Sequence, residues 1–223
     1  MSLYIIAPLI IAAVVGVILL GLYMEKKRRE AMIKVAEQLG LEYWGDTSAS
    51  YNLKLFKIGD SQRATHCIKG TKDGIAFELF DYRYSTGSGK NRRTHHFSVC
   101  VLTVAQYYKN LYIRSENLFD KIAGVIGFDD IDFESKEFSS RFYVQSNDKK
   151  FAYDVINPQM MEYLLARPKC PTIEISGKQI GFHYQGTISP EKYIELFNLA
   201  RQFCQKIPNY VLEEYSSKTK GYY

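Results

Sequence analysis

An uncharged apolar segment near the start of the chain limits the architectures that this sequence can adopt. Residues 3–23 carry no charged side chain. As a helix they would be about 32 Å long at 1.5 Å per residue, close to the roughly 30 Å hydrocarbon core of a bilayer. Tyr4 and Tyr23 lie near its two ends, where aromatic rings favour the headgroup level. We therefore predict a single-pass anchor over residues 1–24, with residues 3–23 in the bilayer.

The charges that flank this segment predict its orientation. Four consecutive cations follow the apolar run, namely Lys26, Lys27, Arg28 and Arg29. A cleaved signal peptide carries its positive charge before the apolar run, so we expect the anchor to be retained. The positive-inside rule places the N-terminus outside and the remaining chain in the cytoplasm. The same four cations can attract anionic lipid headgroups, with on the order of 1 kcal/mol per residue.

Composition excludes several classes for the part beyond the anchor. Hydrophobic residues make up 46% and charged residues 24% of the chain, as in folded proteins, so disorder is not expected. The net charge of +5 comes almost entirely from the four flanking cations, so no basic surface for specific nucleic-acid binding is predicted. The cysteines are widely spaced, which predicts buried reduced thiols rather than disulfides. They are Cys67, Cys100, Cys170 and Cys204.

After the anchor, residues 25–40 are predicted to form a basic juxtamembrane helix that ends at Gly40. Its apolar positions recur at helical spacing, at Met32, Val35, Ala36 and Leu39. Residues 41–212 are predicted to form a cytoplasmic domain, and residues 213–223 a flexible tail. We expect a fragment beginning near Leu41 to fold alone, unless those four side chains cover its core.

The domain is predicted to be α+β, with an antiparallel sheet and helices packed on it. Alternating and continuous apolar runs indicate strands, and a hairpin is expected at Gly177-Lys178. The strands are predicted at 41–44, 64–70, 75–84, 94–105, 111–113, 138–144, 172–175 and 179–184. Helices are predicted at 116–125, from Asn157-Pro158 to before Pro168, and from Ser189 to before Pro208.

A second basic group lies in a Gly/Ser-rich loop at residues 85–93. Its cations are Lys90, Arg92 and Arg93. The loop lacks the spacing of a phosphate-binding P-loop, because Tyr84 stands where the first Gly is required and Asn91 stands where Ser or Thr is required. It is therefore predicted to be a hairpin tip, with a transient contact to an anionic leaflet or an acidic partner as the functional alternative.

No catalytic, cofactor or metal motif is present in the sequence. His95 and His96 are adjacent in a predicted strand, so their rings point to opposite faces and cannot share a metal. A site assembled in space from His66, Asp81, His95 and His96, or with His183 or Cys67, is the one arrangement that would support an enzyme. We predict no catalytic residue, no cofactor and no metal.

Three short motifs together resemble an uncharacterised family of bacterial single-pass membrane-anchored proteins. They are the anchor followed by Lys-Lys-Arg-Arg, the run from Ala36 to Leu41, and the run from Phe80 to Tyr84 before the Gly/Ser/Lys loop. The resemblance implies a location in the inner membrane and supplies no activity or site.

Two functional classes follow from these features. The leading hypothesis is a membrane-tethered, non-enzymatic module that binds a protein or lipid partner at the cytoplasmic face. The alternative is an enzyme that acts on a membrane-proximal substrate.

Overall fold

The computed structural model describes residues 3–116 and 130–217. Its first element, α1 (Leu3–Leu39), is one continuous helix, so the predicted anchor and juxtamembrane helix are a single element. Among the described residues, it is the one helix long and apolar enough to cross a membrane. It ends in a Schellman motif, in which Gly40 N donates to Glu37 O at 3.0 Å and Leu41 N to Ala36 O at 2.9 Å.

A six-stranded antiparallel sheet follows α1. Its strands are β1 (Glu42–Thr47), β2 (Asp60–Lys72), β3 (Ile75–Thr86), β4 (Arg93–Ser115), β5 (Phe142–Ser146) and β6 (Thr172–Gln185). The strands β1 to β4 are neighbours in chain order. β4 is the longest strand and pairs with β3 through its first part, with β5 through its last part, and with β6 along its opposite edge. It is therefore the centre of the sheet.

Five further α-helices lie in the described chain. They are α2 (Lys136–Arg141), α3 (Lys149–Val155), α4 (Pro158–Leu165), α5 (Pro190–Lys206) and α6 (Asn209–Ser217). The predicted starts of α4 and α5 are confirmed, with Pro at the first turn of each helix. α6 extends into the predicted tail, where Tyr215 is buried. The helix predicted at 116–125 lies almost wholly outside the described residues.

Three sequence predictions about the sheet are wrong. The separate strands predicted at 94–105 and 111–113 are one strand, β4. No hairpin forms at Gly177-Lys178, because β6 is one strand that runs through both residues. Gly177 has a φ of +60° and faces an irregular stretch of β4 around Tyr108, so the glycine serves a bulge rather than a turn. The strand predicted to begin at 138 begins at Phe142, because Ser135 caps α2 by accepting a hydrogen bond from Phe138 N at 3.2 Å.

The sheet buries both of its faces. On β3, Phe77 and Leu79 face a large core formed with the helices, whereas Phe80, Tyr82 and Tyr84 face a smaller core on the opposite side. The larger core includes four side chains of α1, which are Met32, Val35, Ala36 and Leu39. Because their exposed fractions do not exceed 8%, the last turns of α1 belong to the domain.

The smaller core is covered by the segment between β1 and β2, which we call the strap (residues 48–59). It inserts Leu53, Leu55 and Phe56 against the sheet. Its backbone is held by Glu174 of β6, whose two carboxylate oxygens accept from Lys54 N at 2.7 and 2.8 Å. Burial raises the pKa of Glu174 to about 7, although the hydrogen bonds and charge of Lys54 act in the opposite direction.

This buried carboxyl predicts a pH-dependent stability. The carboxyl of the unfolded chain ionises near its ordinary pKa of 4.5, whereas that of the folded chain ionises near 7. Between these values the folded protein binds more protons, so its stability falls as pH rises, by about 3 kcal/mol in total. The lowered pKa of His183, about 4, contributes a gain of similar size as pH rises from 4 to 6.5. The Glu174 loss is therefore measured as the difference between thermal melts of the parent and of Glu174→Gln from pH 4 to 8. Exposed Glu162→Gln is the matched control, and a control that also removes the loss would contradict the assignment.

Candidate functional site

The end of the sheet nearest the apolar part of α1 is joined to this helix by a half-buried ion pair. Arg28 donates from Nε and Nη2 to the two carboxylate oxygens of Asp81 on β3, at 2.9 and 2.8 Å. The Tyr193 hydroxyl of α5 donates to the same carboxylate at 2.8 Å, and Arg28 Nη1 donates to Ile188 O at 2.9 Å. Burial lowers the pKa of Arg28, but the hydrogen bonds and charge of Asp81 outweigh it, so the pKa lies above its ordinary value. One side chain thus connects α1, the sheet and the segment before α5.

A second contact lies one helical turn closer to the span. His66 Nε2 of β2 lies 3.1 Å from Glu25 Oε1, and His66 Nδ1 lies 3.0 Å from the hydroxyl of Tyr43 on β1. His66 occupies a bulge, with a φ of +55° that non-glycine residues rarely adopt. Such strain is retained where the surrounding contacts fix it, and here those contacts join β1, β2 and α1.

Between α1 and the start of the sheet lies an open cleft of about 550 Å³, which we call the juxtamembrane cleft. Its walls combine charged groups of both signs with two aromatic rings. They are formed by Leu22, Glu25, Lys26, Arg29, Tyr43, Trp44, Gly45, Asp46 and His66. Trp44 is 63% exposed, and Leu22 belongs to the predicted span. The cleft therefore opens beside the apolar part of α1.

The two aromatic rings of the cleft already have cations near their faces. The guanidinium carbon of Arg29 lies 6.0 Å from the centroid of the Tyr43 ring, and the ammonium of Lys69 lies 5.8 Å from that of Trp44. Both distances are within the range of a cation–π interaction. An incoming positive group would therefore have to use the part of the ring surface that Arg29 and Lys69 leave open.

The loop between β3 and β4 lies on the same side of the Arg28–Asp81 pair as the predicted anchor. Just after the end of α1 that is farthest from the apolar segment, Glu42 pairs with Lys69 of β2. β3 runs from that end past Asp81 to Thr86. Thr86 lies about 17 Å beyond Asp81 along the strand, at about 3.3 Å per residue. The loop that joins β3 to β4 is therefore at the end of the sheet from which the span extends.

The structure divides the basic residues predicted to contact a membrane surface. Lys26, Lys27 and Arg29 are exposed, whereas the guanidinium of Arg28 is turned inward to Asp81. Arg28 is therefore engaged as an internal tether, and the lipid contact predicted for the four cations stays a prediction. The partner of Arg28 is 53 residues away in sequence, so no local pattern could reveal the pair.

The cations of the hairpin loop are also divided. Lys90 and Arg93 are exposed. Arg92 Nη2 instead donates to Asp60 Oδ1 at 2.6 Å and to Ser61 Oγ at 2.7 Å, although 44% of its side chain is exposed. Two cations of the loop are thus available for an external anion, and the third already has acceptors within the fold.

The residues proposed for an enzyme do not form one site. Both oxygens of Asp81 are occupied, and His95 lies on the opposite face of the sheet, stacked on Tyr84 with Nε2 2.9 Å from Thr86 Oγ1. His96 is exposed, and burial lowers the pKa of His183 to about 4. Over residues 3–116 and 130–217, no three His, Cys, Asp or Glu residues are grouped closely enough to hold a metal.

The cysteine thiols are free in the structure. Burial raises the pKa of Cys67, Cys170 and Cys204 to about 12, and it raises that of Cys100 as well. A thiol is nucleophilic as the thiolate, so these groups are not activated. The prediction of buried thiols is confirmed for Cys67, Cys100 and Cys170, and Cys204 is partly buried.

Comparison with solved structures finds a similar fold in the mycobacterial trehalose monomycolate transport factor A, TtfA. The TM-score is 0.60 at 13% sequence identity, and the alignment covers 83% of this chain and 96% of that chain. No protein-family model and no curated protein sequence matches the chain. At this identity the likeness shows a shared fold, and the predicted α+β class with an N-terminal apolar helix is confirmed.

Proposed function

We propose that this protein is a bacterial membrane-tethered, non-enzymatic module that binds lipid headgroups at the cytoplasmic surface of the inner membrane. The span carries the domain, and the positive charge after the span favours a cytoplasmic domain. The fold likeness to a transport factor named for trehalose monomycolate supports extending the proposal to a role associated with lipid transport.

The observation that carries this proposal is the continuity of α1. A flexible linker would let a domain move freely away from the bilayer. Here the helix passes from the apolar segment into the core without a break, and the Arg28–Asp81 pair fixes the turn between them. The juxtamembrane cleft is thereby held a few residues from the end of the span, and a lipid headgroup is the ligand available at that depth.

Electrostatics support the same surface. Exposed cations from two distant parts of the sequence lie at the membrane end of the domain, namely Lys26, Lys27 and Arg29 on α1 and Lys90 and Arg93 in the hairpin loop. Each can contribute on the order of 1 kcal/mol near an anionic leaflet, and the contribution falls with salt. The loop would thus hold a second edge of the domain against the headgroups.

The experiment measures vesicle binding by a fragment of residues 24–217, which keeps the helical turns that lie in the core. We expect it to sediment with phosphatidylglycerol vesicles at about 50 mM salt and to be released near 200 mM salt. Replacing Lys90 and Arg93 by Ser should weaken binding by up to about fivefold per residue, without changing the melting temperature. Arg92→Ser is the matched control, and its effect should be smaller because Asp60 and Ser61 accept from Arg92.

Two outcomes would count against the proposal. Equal binding to phosphatidylglycerol and phosphatidylcholine vesicles with no salt dependence would remove the electrostatic part. A fragment that is folded and binds neither kind of vesicle would remove lipid as the ligand of this surface.

A further inference from the structure

We propose that the juxtamembrane cleft takes a zwitterionic phospholipid headgroup with a primary ammonium, which is a phosphoethanolamine group, in preference to an anionic headgroup. This inference rests on the proposed function, because it assigns a headgroup chemistry to the same cleft. It separates the cleft from the exposed cations around it, which attract anionic lipid without selecting one headgroup.

The cleft is lined by charges of both signs, which favours a zwitterionic ligand. Its walls carry two permanent cations, Lys26 and Arg29, and two carboxylates, Glu25 and Asp46. A ligand with negative charge alone gains from the cations and is repelled by the carboxylates. A headgroup that carries both a phosphate and an ammonium finds a partner for each charge. By contrast, the hairpin loop offers Lys90 and Arg93 and attracts any anion.

The carboxylates of the cleft offer hydrogen-bond acceptors for a ligand ammonium. Glu25 is 66% exposed and its contact to His66 uses Oε1, while Asp46 is 52% exposed and its bond from Arg63 uses Oδ2. One oxygen of each carboxylate therefore remains accessible from the cleft. A primary ammonium has three N–H donors for such oxygens, whereas a choline group has none. This difference favours ethanolamine over choline.

The aromatic wall of the cleft and its position beside the apolar segment suit a phospholipid headgroup. Lys69 lies near one part of the Trp44 ring, and the 63% exposure of this residue leaves further aromatic surface for a ligand ammonium. Leu22 places one edge of the cleft at the end of the apolar segment. A phospholipid in the adjacent leaflet can therefore reach the cleft with its headgroup while its acyl chains stay in the bilayer.

The test uses the full chain in lipid nanodiscs, because Trp44 is the single tryptophan of the sequence and reports on the cleft directly. Phosphatidylcholine discs are compared with discs in which part of that lipid is replaced by phosphatidylethanolamine or by phosphatidylglycerol. Phosphatidylethanolamine should exclude water from Trp44 and shift its emission to shorter wavelength, with saturation. Native mass spectrometry of the same protein should retain phosphatidylethanolamine about tenfold more than phosphatidylglycerol.

Matched variants separate a bound headgroup from a general effect of the bilayer. The double variant Glu25→Gln with Asp46→Asn should lose the preference for phosphatidylethanolamine, and Glu37→Gln, an exposed carboxylate farther along α1, should keep it. Far-ultraviolet circular dichroism checks that each variant is folded. If the double variant is unfolded, Asp46→Asn alone is used, which should reduce the preference severalfold.

Three results would overturn the inference, and they differ in what they leave standing. An equal or larger response to phosphatidylglycerol would make the cleft an anion site, while the proposed lipid-binding function would stand. An equal response to soluble glycerophosphoethanolamine at the same bulk concentration would show that the membrane lipid is not the specific occupant. No response to any lipid, together with no vesicle binding by the 24–217 fragment, would remove both proposals.

Discussion

A fragment that begins at Leu41 is expected to be unfolded or aggregated, whereas one that begins at Met24 should fold cooperatively. The shorter fragment lacks Met32 and Leu39, together with Val35 and Ala36, all of which lie in the larger core. Burial of these four side chains contributes about 5 to 9 kcal/mol, which is comparable with the whole stability of a typical domain. Circular dichroism and thermal melts of the two fragments measure the difference.

A fragment of residues 41–217 with the same cooperative melt as 24–217 would contradict this account. The variants Met32→Ala and Glu37→Ala in the longer fragment provide a matched pair on the same helix. Loss of the buried Met32 side chain should lower the free energy of unfolding by about 2 to 5 kcal/mol. Glu37 is exposed, so its replacement should have an effect within about 0.5 kcal/mol.

Replacing Arg28 by Ala is expected to destabilise the domain by about 3 to 5 kcal/mol, because it leaves the carboxylate of Asp81 buried without its cation. The two side chains are 18% and 15% exposed, so water can compensate only in part. Lys27→Ala and Arg29→Ala remove neighbouring cations that are exposed, and each should change stability by less than about 1 kcal/mol. Chemical denaturation of the 24–217 fragment measures all three variants.

A double variant tests whether the loss comes from the unpaired carboxylate. Arg28→Met combined with Asp81→Leu removes both charges and fills the same space between α1 and β3 with apolar side chains. It should be more stable than Arg28→Ala, although the Tyr193 hydroxyl then loses its acceptor. If Arg28→Ala is no more destabilising than Lys27→Ala, Arg28 acts as a surface cation and its bond to Asp81 does not hold α1 to the sheet.

Local patterns predicted the class of the fold and many of its elements, but not the short helices α2, α3 and α6. The uncharged run of residues 3–23 indicated the span, and the apolar alternation and turn signals located most strands and the helices α4 and α5. The strand predicted from 138 was displaced by a local contact, the Ser135 cap of α2, whereas at Gly177 the deciding contact lay elsewhere in the chain. Gly177 has the conformation of a turn residue, yet β6 continues through it because β4 carries a matching irregularity near Tyr108.

The candidate site was predicted only in part, for the same reason. The basic run after the span was visible, but the role of Arg28 depends on Asp81, and the cleft combines α1 with Trp44 on β1 and His66 on β2. The single Trp just beyond a basic juxtamembrane helix was the one local signal that could have indicated the cleft. The bulge that directs His66 towards Glu25 has no such signal.

The depth of Trp44 in a bilayer tests the central claim most directly. The full chain is reconstituted with lipids that carry a nitroxide quencher either on the headgroup or at increasing depth along the acyl chain. If the domain is held at the bilayer by a continuous α1, headgroup-labelled lipid should quench Trp44 most strongly and the deepest chain label least, with limited access for aqueous iodide. Full quenching by iodide with none from any labelled lipid would show that the cleft stands away from the membrane, and would contradict the account.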